Sequence, residues 1–136
     1  MTIELATEFN SDKLAIDIVG VASAANAGQG SLLNPFGCSV EILRAFLLTK
    51  TNAAGTATLG VGVTTVAAAA TDVVNAIDVE ATTEGKIATG VLEAAAGSEE
   101  APALWTSAKY LTFTASATMV GFTGTLFLEV IRTPAE

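Results

Sequence analysis

The sequence predicts a mainly β protein: a single-domain antiparallel β-sandwich, with a closed barrel as the alternative. Apolar and polar residues alternate with a period of two in several short segments, and glycine-rich turns separate those segments. No recurring strand–helix–strand rhythm is present, which argues against an α/β fold. A length of 136 residues suits one domain, and 51% hydrophobic against 15% charged residues argues against a disordered chain.

The N-terminal part of the chain begins with a polar segment. We predict that residues 1–13 form an arm or an edge strand and that residues 14–136 form the sandwich domain. The first clear strand is 14–21, because its apolar residues recur on one face. The small residues of 23–31 predict a loop. Residues 34–37, Asn-Pro-Phe-Gly, predict a turn, since proline fixes φ and glycine accepts positive φ.

The next segment, 39–49, has apolar residues on both faces. A helix is the alternative here, but the valine, isoleucine and phenylalanine content favours a strand. A strand buried on both sides belongs in the middle of a structure. Residues 50–55 predict a turn, and 56–66 alternate cleanly, so we predict that these two strands form a hairpin.

The second half of the chain contains less regular segments. We predict one short helical turn after residue 70, with Thr71 or Asp72 as its N-cap. A long Gly-containing loop follows at 82–102, and loops of that length are usually functional or mobile. Two alternating strands, at 109–116 and 125–132, close the chain.

The charge of the chain limits its partners. The formal net charge is −8, and the six basic residues are scattered along the sequence. Nucleic-acid binding needs clustered positive charge, so we expect no nucleic-acid partner; an acidic surface is also repelled by anionic membranes. No signal-peptide pattern and no apolar window long enough for a bilayer is visible, so we expect synthesis and folding in cytoplasm.

The residues that most catalytic sites need are scarce. The chain has no histidine, which excludes imidazole catalysis, histidine-containing triads and most zinc sites. Cys38 is the lone cysteine and is predicted to be a small core residue. The neighbouring carboxylates of Asp78 and Glu80, and of Glu99 and Glu100, are better explained as solvated charge than as a glycosidase pair. We expect neither an enzyme nor a bound cofactor.

Three oxygen-bearing residues form a candidate metal site. Asp72, Asn75 and Asp78 lie at i, i+3 and i+6 and offer the oxygen ligands that Ca²⁺ prefers. They lack the central glycine and the terminal glutamate of a known calcium loop. We therefore prefer Asp72 as a cap or turn former and predict no metal.

The candidate interaction surface lies near a strand entry. Trp105 and Tyr110 flank that entry, and Glu99 and Glu100 lie in the preceding loop. Exposed aromatic rings there would offer a stacking platform for a sugar or a receptor. The competing interpretation, which we favour for the tryptophan, is that Trp105 plugs one end of the sandwich.

Four segments carry a resemblance to a known group: 34–49, 57–63, 72–79 and 120–129. Together they resemble small virion proteins of tailed bacteriophages found among head genes, including capsid decoration (cement) proteins. The resemblance implies a jelly-roll-like β-sandwich on the outer capsid surface, often as a homotrimer, with the major capsid protein as its partner. It also implies a location in the virion after synthesis in the host cytoplasm. A receptor- or carbohydrate-binding module of a phage fibre or tail is the alternative.

Overall fold

The computed structural model describes residues 11–22, 24, 27–65, 74–79, 87–90 and 103–132. These residues form strands and connections without any helix. Within these ranges there are nine strands: β1 (Ser11–Val19), β2 (Ala27–Leu33), β3 (Val40–Thr51), β4 (Thr58–Thr64), β5 (Val74–Asp78), β6 (Ile87–Gly90), β7 (Ala103–Trp105), β8 (Tyr110–Ala115) and β9 (Thr123–Arg132). The prediction of a mainly β, antiparallel fold is therefore confirmed.

The strands form two antiparallel sheets. One has the order β1-β9-β3-β6, with the short β7 also paired to β3, and the other has the order β2-β8-β4-β5. With β7 set aside, the pairs are nested: β1 with β9, β2 with β8, β3 with β6, and β4 with β5. A nested set of this kind, wrapped into two facing sheets, is a jelly roll.

One hydrophobic core lies between the two sheets. In four strands, the alternate apolar residues that the sequence predicts to be buried are the ones that face the core. The core-facing residues of these strands are Leu14, Ile16 and Ile18 in β1, Leu59, Val61 and Val63 in β4, Leu111, Phe113 and Ala115 in β8, and Leu126, Leu128 and Val130 in β9.

The longest strand, β3, changes face in its middle. The pairing with β9 shifts register between Ile42 and Arg44, so the extra residue, Leu43, forms a bulge. Because side chains alternate with a period of two, one extra residue exchanges the faces of everything that follows. Ala45 and Leu47 therefore join the core, while Phe46 turns to the outer face and is half-buried.

The predicted hairpin of residues 39–49 with 56–66 is wrong. β3 pairs with β6, β7 and β9, whereas β4 pairs with β5 and β8 in the other sheet. The connection between β3 and β4 crosses the end of the sandwich. Alternation reports which face of a strand is buried, and it carries no information about which strand lies beside it.

Two further segments differ from the predictions. The predicted helical turn after residue 70 is replaced, from residue 74 onward, by β5, in which Ile77 is buried and pairs with Leu59; residues 71–73 lie outside the described residues. Part of the predicted loop 23–31 belongs to β2, whose pairing with β8 tolerates Gly28 and Gly30 through a register shift. In both cases the hydrogen bonds to a neighbouring strand outweigh weak local propensities.

The predicted N-terminal arm and the predicted loop 82–102 are only partly described by the structure. β1 begins at Ser11 and pairs with β9 at the edge of its sheet. Residues 1–10 lie outside the described residues, so an N-terminal arm stays a prediction. The predicted loop 82–102 contains β6, and its other residues lie outside the described part. Within the described ranges no helix has the length and apolar character needed to cross a membrane.

Candidate interaction surface

Trp105 belongs to the core, which corrects its place in the predicted interaction surface. Its side chain is fully buried, and its ring meets Phe36 edge-on with a centroid distance of 6.1 Å. The indole Nε1 donates a hydrogen bond to the Lys109 carbonyl oxygen at 2.9 Å. A ring held in this way has no free face for a ligand, and the plug interpretation of Trp105 is confirmed.

The buried side chain of Asn34 secures the same end of the sandwich. Its Nδ2 donates to the carbonyl oxygens of Cys38 and Trp105, each at 2.9 Å, and its Oδ1 accepts from Phe36 N at 2.8 Å. The predicted turn at 34–37 is thus tied to β7.

At the surface of this end, Arg132 Nε donates to Asp12 Oδ2 at 2.7 Å. That hydrogen bond and the charge of Asp12 raise the pKa of Arg132.

The other residues singled out in the sequence are only partly described. Tyr110 is half-buried at the start of β8, and Cys38 is half-buried against the core as a free thiol. Glu99 and Glu100 lie outside the described residues, so their surface role stays a prediction. Of the three candidate calcium ligands considered above, Asp72 lies outside the described residues, and the side chains of Asn75 and Asp78 are not described. Among the side chains that are described, no group of three acidic or cysteine residues is placed to hold a metal.

A surface that we did not predict lies on the outer face of β1, β9 and β3. The strand registers place Lys13, Glu129 and Arg44 in one row across this face, and Ala15, Phe127 and Phe46 in the next row. These two rows border a groove of about 510 Å³. Its lining consists of Lys13, Arg44, Phe46, Phe127, Leu128 and Glu129.

This outer face is unusually apolar for a sheet exposed to solvent. Of the seven exposed large apolar side chains in the described part of the chain, four lie here. They are Val19, Leu104, Phe127 and Ile131. Phe127 is 38% exposed although its neighbours along β9 are core residues. Val19 pairs with Thr123 and Ile131 pairs with Ser11, at opposite ends of the β1–β9 pair, so these side chains are spread along the face. Of the four, Phe127 is the one that lines the groove.

The charges of the groove differ in sign from those of the whole chain. Lys13 and Arg44 contribute two positive charges, and Glu129 contributes one negative charge, 3.8 Å from Arg44 Nε. Both members of that ion pair are substantially exposed, so solvent screens their interaction and it contributes little to stability. The groove therefore carries a net positive charge on a protein whose net charge is −8.

A second ion pair borders the same face. Asp17 accepts a hydrogen bond from Thr125 Oγ1 at 2.7 Å and lies 3.5 Å from Lys50 Nζ. The hydrogen bond, followed by the charge of Lys50, lowers the pKa of Asp17. Asp17 is therefore held ionised and paired between the groove and one end of the sandwich.

The sequence did contain a signal for this surface. Residues 39–49 are apolar on both faces, a pattern that predicts burial on both sides. In a two-layer sandwich only one face of each sheet can meet the core. The second apolar face of β3 therefore lies outside this core, and the same reasoning applies to Phe127 and Ile131 in β9.

Comparisons with known proteins bear on the fold. No protein-family model matches the chain, and no curated protein matches it. Among solved structures, a chain in the capsid of Ralstonia phage GP4 is similar, with a TM-score of 0.51 and 16% sequence identity. The similarity covers 99% of this chain and 91% of that chain. The jelly-roll architecture described above is therefore shared, over nearly its full length, with a chain found in a phage capsid.

Proposed function

We propose that this protein is a structural component of a bacteriophage virion, of the capsid decoration (cement) type. In this proposal it binds the outer capsid surface as a homotrimer and stabilises the head by burying surface between neighbouring capsid subunits. It has no catalytic role and needs no cofactor.

The observation that carries the proposal is the fold. The nested jelly-roll topology matches a chain in a phage capsid over 99% of this chain and 91% of that chain. Jelly rolls recur in capsid proteins. The resemblance of four sequence segments to phage head proteins, which is a pattern of turns and strands, is consistent with the same role.

The groove on the β1-β9-β3 face is the surface we assign to the shell. Phe46 and Phe127 supply apolar area at its centre, and Lys13, Arg44 and Glu129 border them. Charge complementarity defines the occupant: a capsid-subunit segment that presents an apolar side chain beside a carboxylate. An acidic protein approaches such a segment favourably only through a locally basic surface.

A co-sedimentation experiment tests this function. Purified protein is mixed with capsid shells from its own source that lack it, and bound protein is measured against concentration. We expect saturable binding and an increased resistance of the shells to heat. Phe127→Asp places a negative charge at the centre of the groove, and we expect at least a tenfold loss of affinity.

The matched control is Leu33→Asp. Leu33 is exposed on β2 in the opposite sheet, and the same change there adds the same charge away from the groove. We expect it to bind like the unmodified protein. If the unmodified protein does not bind the shells, the decoration function is wrong. If both variants bind equally well, the groove is not the contact surface.

The alternative of a carbohydrate- or receptor-binding module has less support. It depended on an aromatic platform that included Trp105, and this ring is buried and hydrogen-bonded in the core. Since no other observation favours that role, we do not propose it.

A further inference from the structure

The outer edge of β1 has no partner strand within the described part of the chain. β1 lies at the end of its sheet and pairs with β9 on one side. Leu14 and Ile16 face the core but stay half-buried. The core-facing apolar residues of β9, which has a strand on each side, are at most 1% exposed. The edge of β1 therefore presents backbone hydrogen-bonding groups and part of two apolar side chains, which another strand can cover.

Two charged side chains project from β1 on the outer face of the sheet. Lys13 is exposed, and none of the ion pairs among the described residues includes it. Asp17 has a side chain that is 80% exposed, and both Thr125 Oγ1 and Lys50 Nζ contact its Oδ1. These contacts fix the carboxylate and leave its Oδ2 for a further donor. One cation and one anion, four residues apart, are thus available at the edge.

These two charges make β1 complementary to itself. When two copies of β1 run antiparallel about a two-fold axis at Ala15, Lys13 of each copy lies opposite Asp17 of the other. In the same register Leu14 lies opposite Ile16, so the half-buried apolar side chains also meet. An axis at Lys13 or at Asp17 would place like charges together. Charges on an edge strand usually prevent pairing, whereas here they select one register.

We propose that two copies of this protein pair edge to edge through β1, about a two-fold axis at Ala15. The sheet β1-β9-β3-β6 of one copy then continues into the same sheet of the other. This inference goes beyond the proposed function, because it needs no capsid shell. A two-fold contact is also separate from the three-fold contact of the proposed homotrimer. It therefore doubles the mass of the free assembly, whether that assembly is one chain or three.

Charge complementarity identifies a second copy as the occupant. In a two-fold contact every pair occurs twice, so the pattern of Lys13 and Asp17 is matched at both of its charges by the same strand of another copy. Exposed ion pairs contribute little stability, and we assign them the choice of register and partner. The backbone hydrogen bonds between the two strands supply the affinity. These bonds also offset the repulsion between two chains that each carry a net charge of −8.

Light scattering on the free protein tests this inference, with no shells present. We expect the unmodified protein to have twice the mass of Lys13→Asp or of Asp17→Lys, because each variant places like charges opposite each other. An equimolar mixture of the two variants restores opposite charges at both pairs, and we expect the doubled mass to return. Glu41→Lys is the matched control, because it makes the same change of charge as Asp17→Lys on β3, with β9 between it and this edge. It should keep the doubled mass.

Each outcome separates this inference from the proposed function. Circular dichroism first confirms that the variants are folded like the unmodified protein. An unmodified protein that has the same mass as Lys13→Asp and Asp17→Lys up to about 1 mM would overturn the inference, even if it binds shells. So would a mixture that stays at the mass of its components, or a control that loses the doubled mass. A doubled mass that is lost in each variant and returns in the mixture supports the inference, including in a protein that ignores the shells.

Discussion

The side chain of Asn34 offers a sharp test of how the plugged end of the sandwich is held. Asn34 is buried and makes three hydrogen bonds, to Phe36 N, the Cys38 carbonyl oxygen and the Trp105 carbonyl oxygen. Asn34→Ala removes all three and leaves their partners without a replacement. With a net contribution of about 1 kcal/mol for each hydrogen bond, the expected loss is about 3 kcal/mol in the free energy of unfolding.

Urea denaturation followed by circular dichroism measures this loss at fixed protein concentration. For a chain of this length the same change corresponds to a decrease in Tm of roughly 10 °C. The control is Ser107→Ala, an exposed residue in the connection that follows Trp105, for which we expect a change below about 0.5 kcal/mol. An Asn34→Ala variant as stable as this control would refute the assignment of the three hydrogen bonds.

The aspartate variant at the same position adds a pH dependence. In Asn34→Asp a carboxylate oxygen faces the two carbonyl oxygens, so burial and repulsion raise its pKa in the folded state above the unfolded value of about 3.9. A carboxyl whose pKa is raised by folding destabilises the folded state only at pH values at which the same carboxyl is ionised in the unfolded chain. We therefore expect the stability difference from the unmodified protein to be larger at pH 7 than at pH 4. A difference that does not change with pH would contradict this.

Two further predictions concern other side chains. Thr49 is fully buried, and its hydroxyl has no hydrogen-bond partner among the described residues. Thr49→Val should therefore raise the free energy of unfolding by about 1 kcal/mol in urea denaturation, and a loss of stability would show that the hydroxyl is paired. NMR titration should give Asp17 a pKa below 3.8, and Thr125→Val should move it back towards that value. Folding lowers the pKa of Asp17, so its stabilising effect is present above the pKa of the unfolded state and is lost as the pH falls through the pKa of the folded state. If Thr125→Val left the pKa of Asp17 unchanged, the role of Thr125 would be contradicted.

The candidate surface was only partly predictable. The sequence favours burial of Trp105, because a tryptophan has more apolar area to bury than most residues, and the structure places it in the core. Phe46 and Phe127 were visible as members of apolar runs. Their exposure became clear only when the bulge at Leu43 and the registers with β9 fixed which side chains share the outer face.

The sequence by itself determined the local character of the chain. Period-two alternation predicted the core faces of β1, β4, β8 and β9, because a strand that borders one core exposes alternate residues to it. Composition alone also predicted one acidic domain, and the absence of histidine removed several classes of catalytic site.

Only the tertiary structure decided which strands are neighbours. The pairing of β3 with β9 joins residues that are far apart in the sequence, and the β3–β4 connection crosses between the sheets instead of forming a hairpin. The glycine-rich β2 and the short β5 became strands because β8 and β4 supply their hydrogen-bond partners. Such pairings depend on chain packing around a common core, and a local pattern of residues contains no record of that packing.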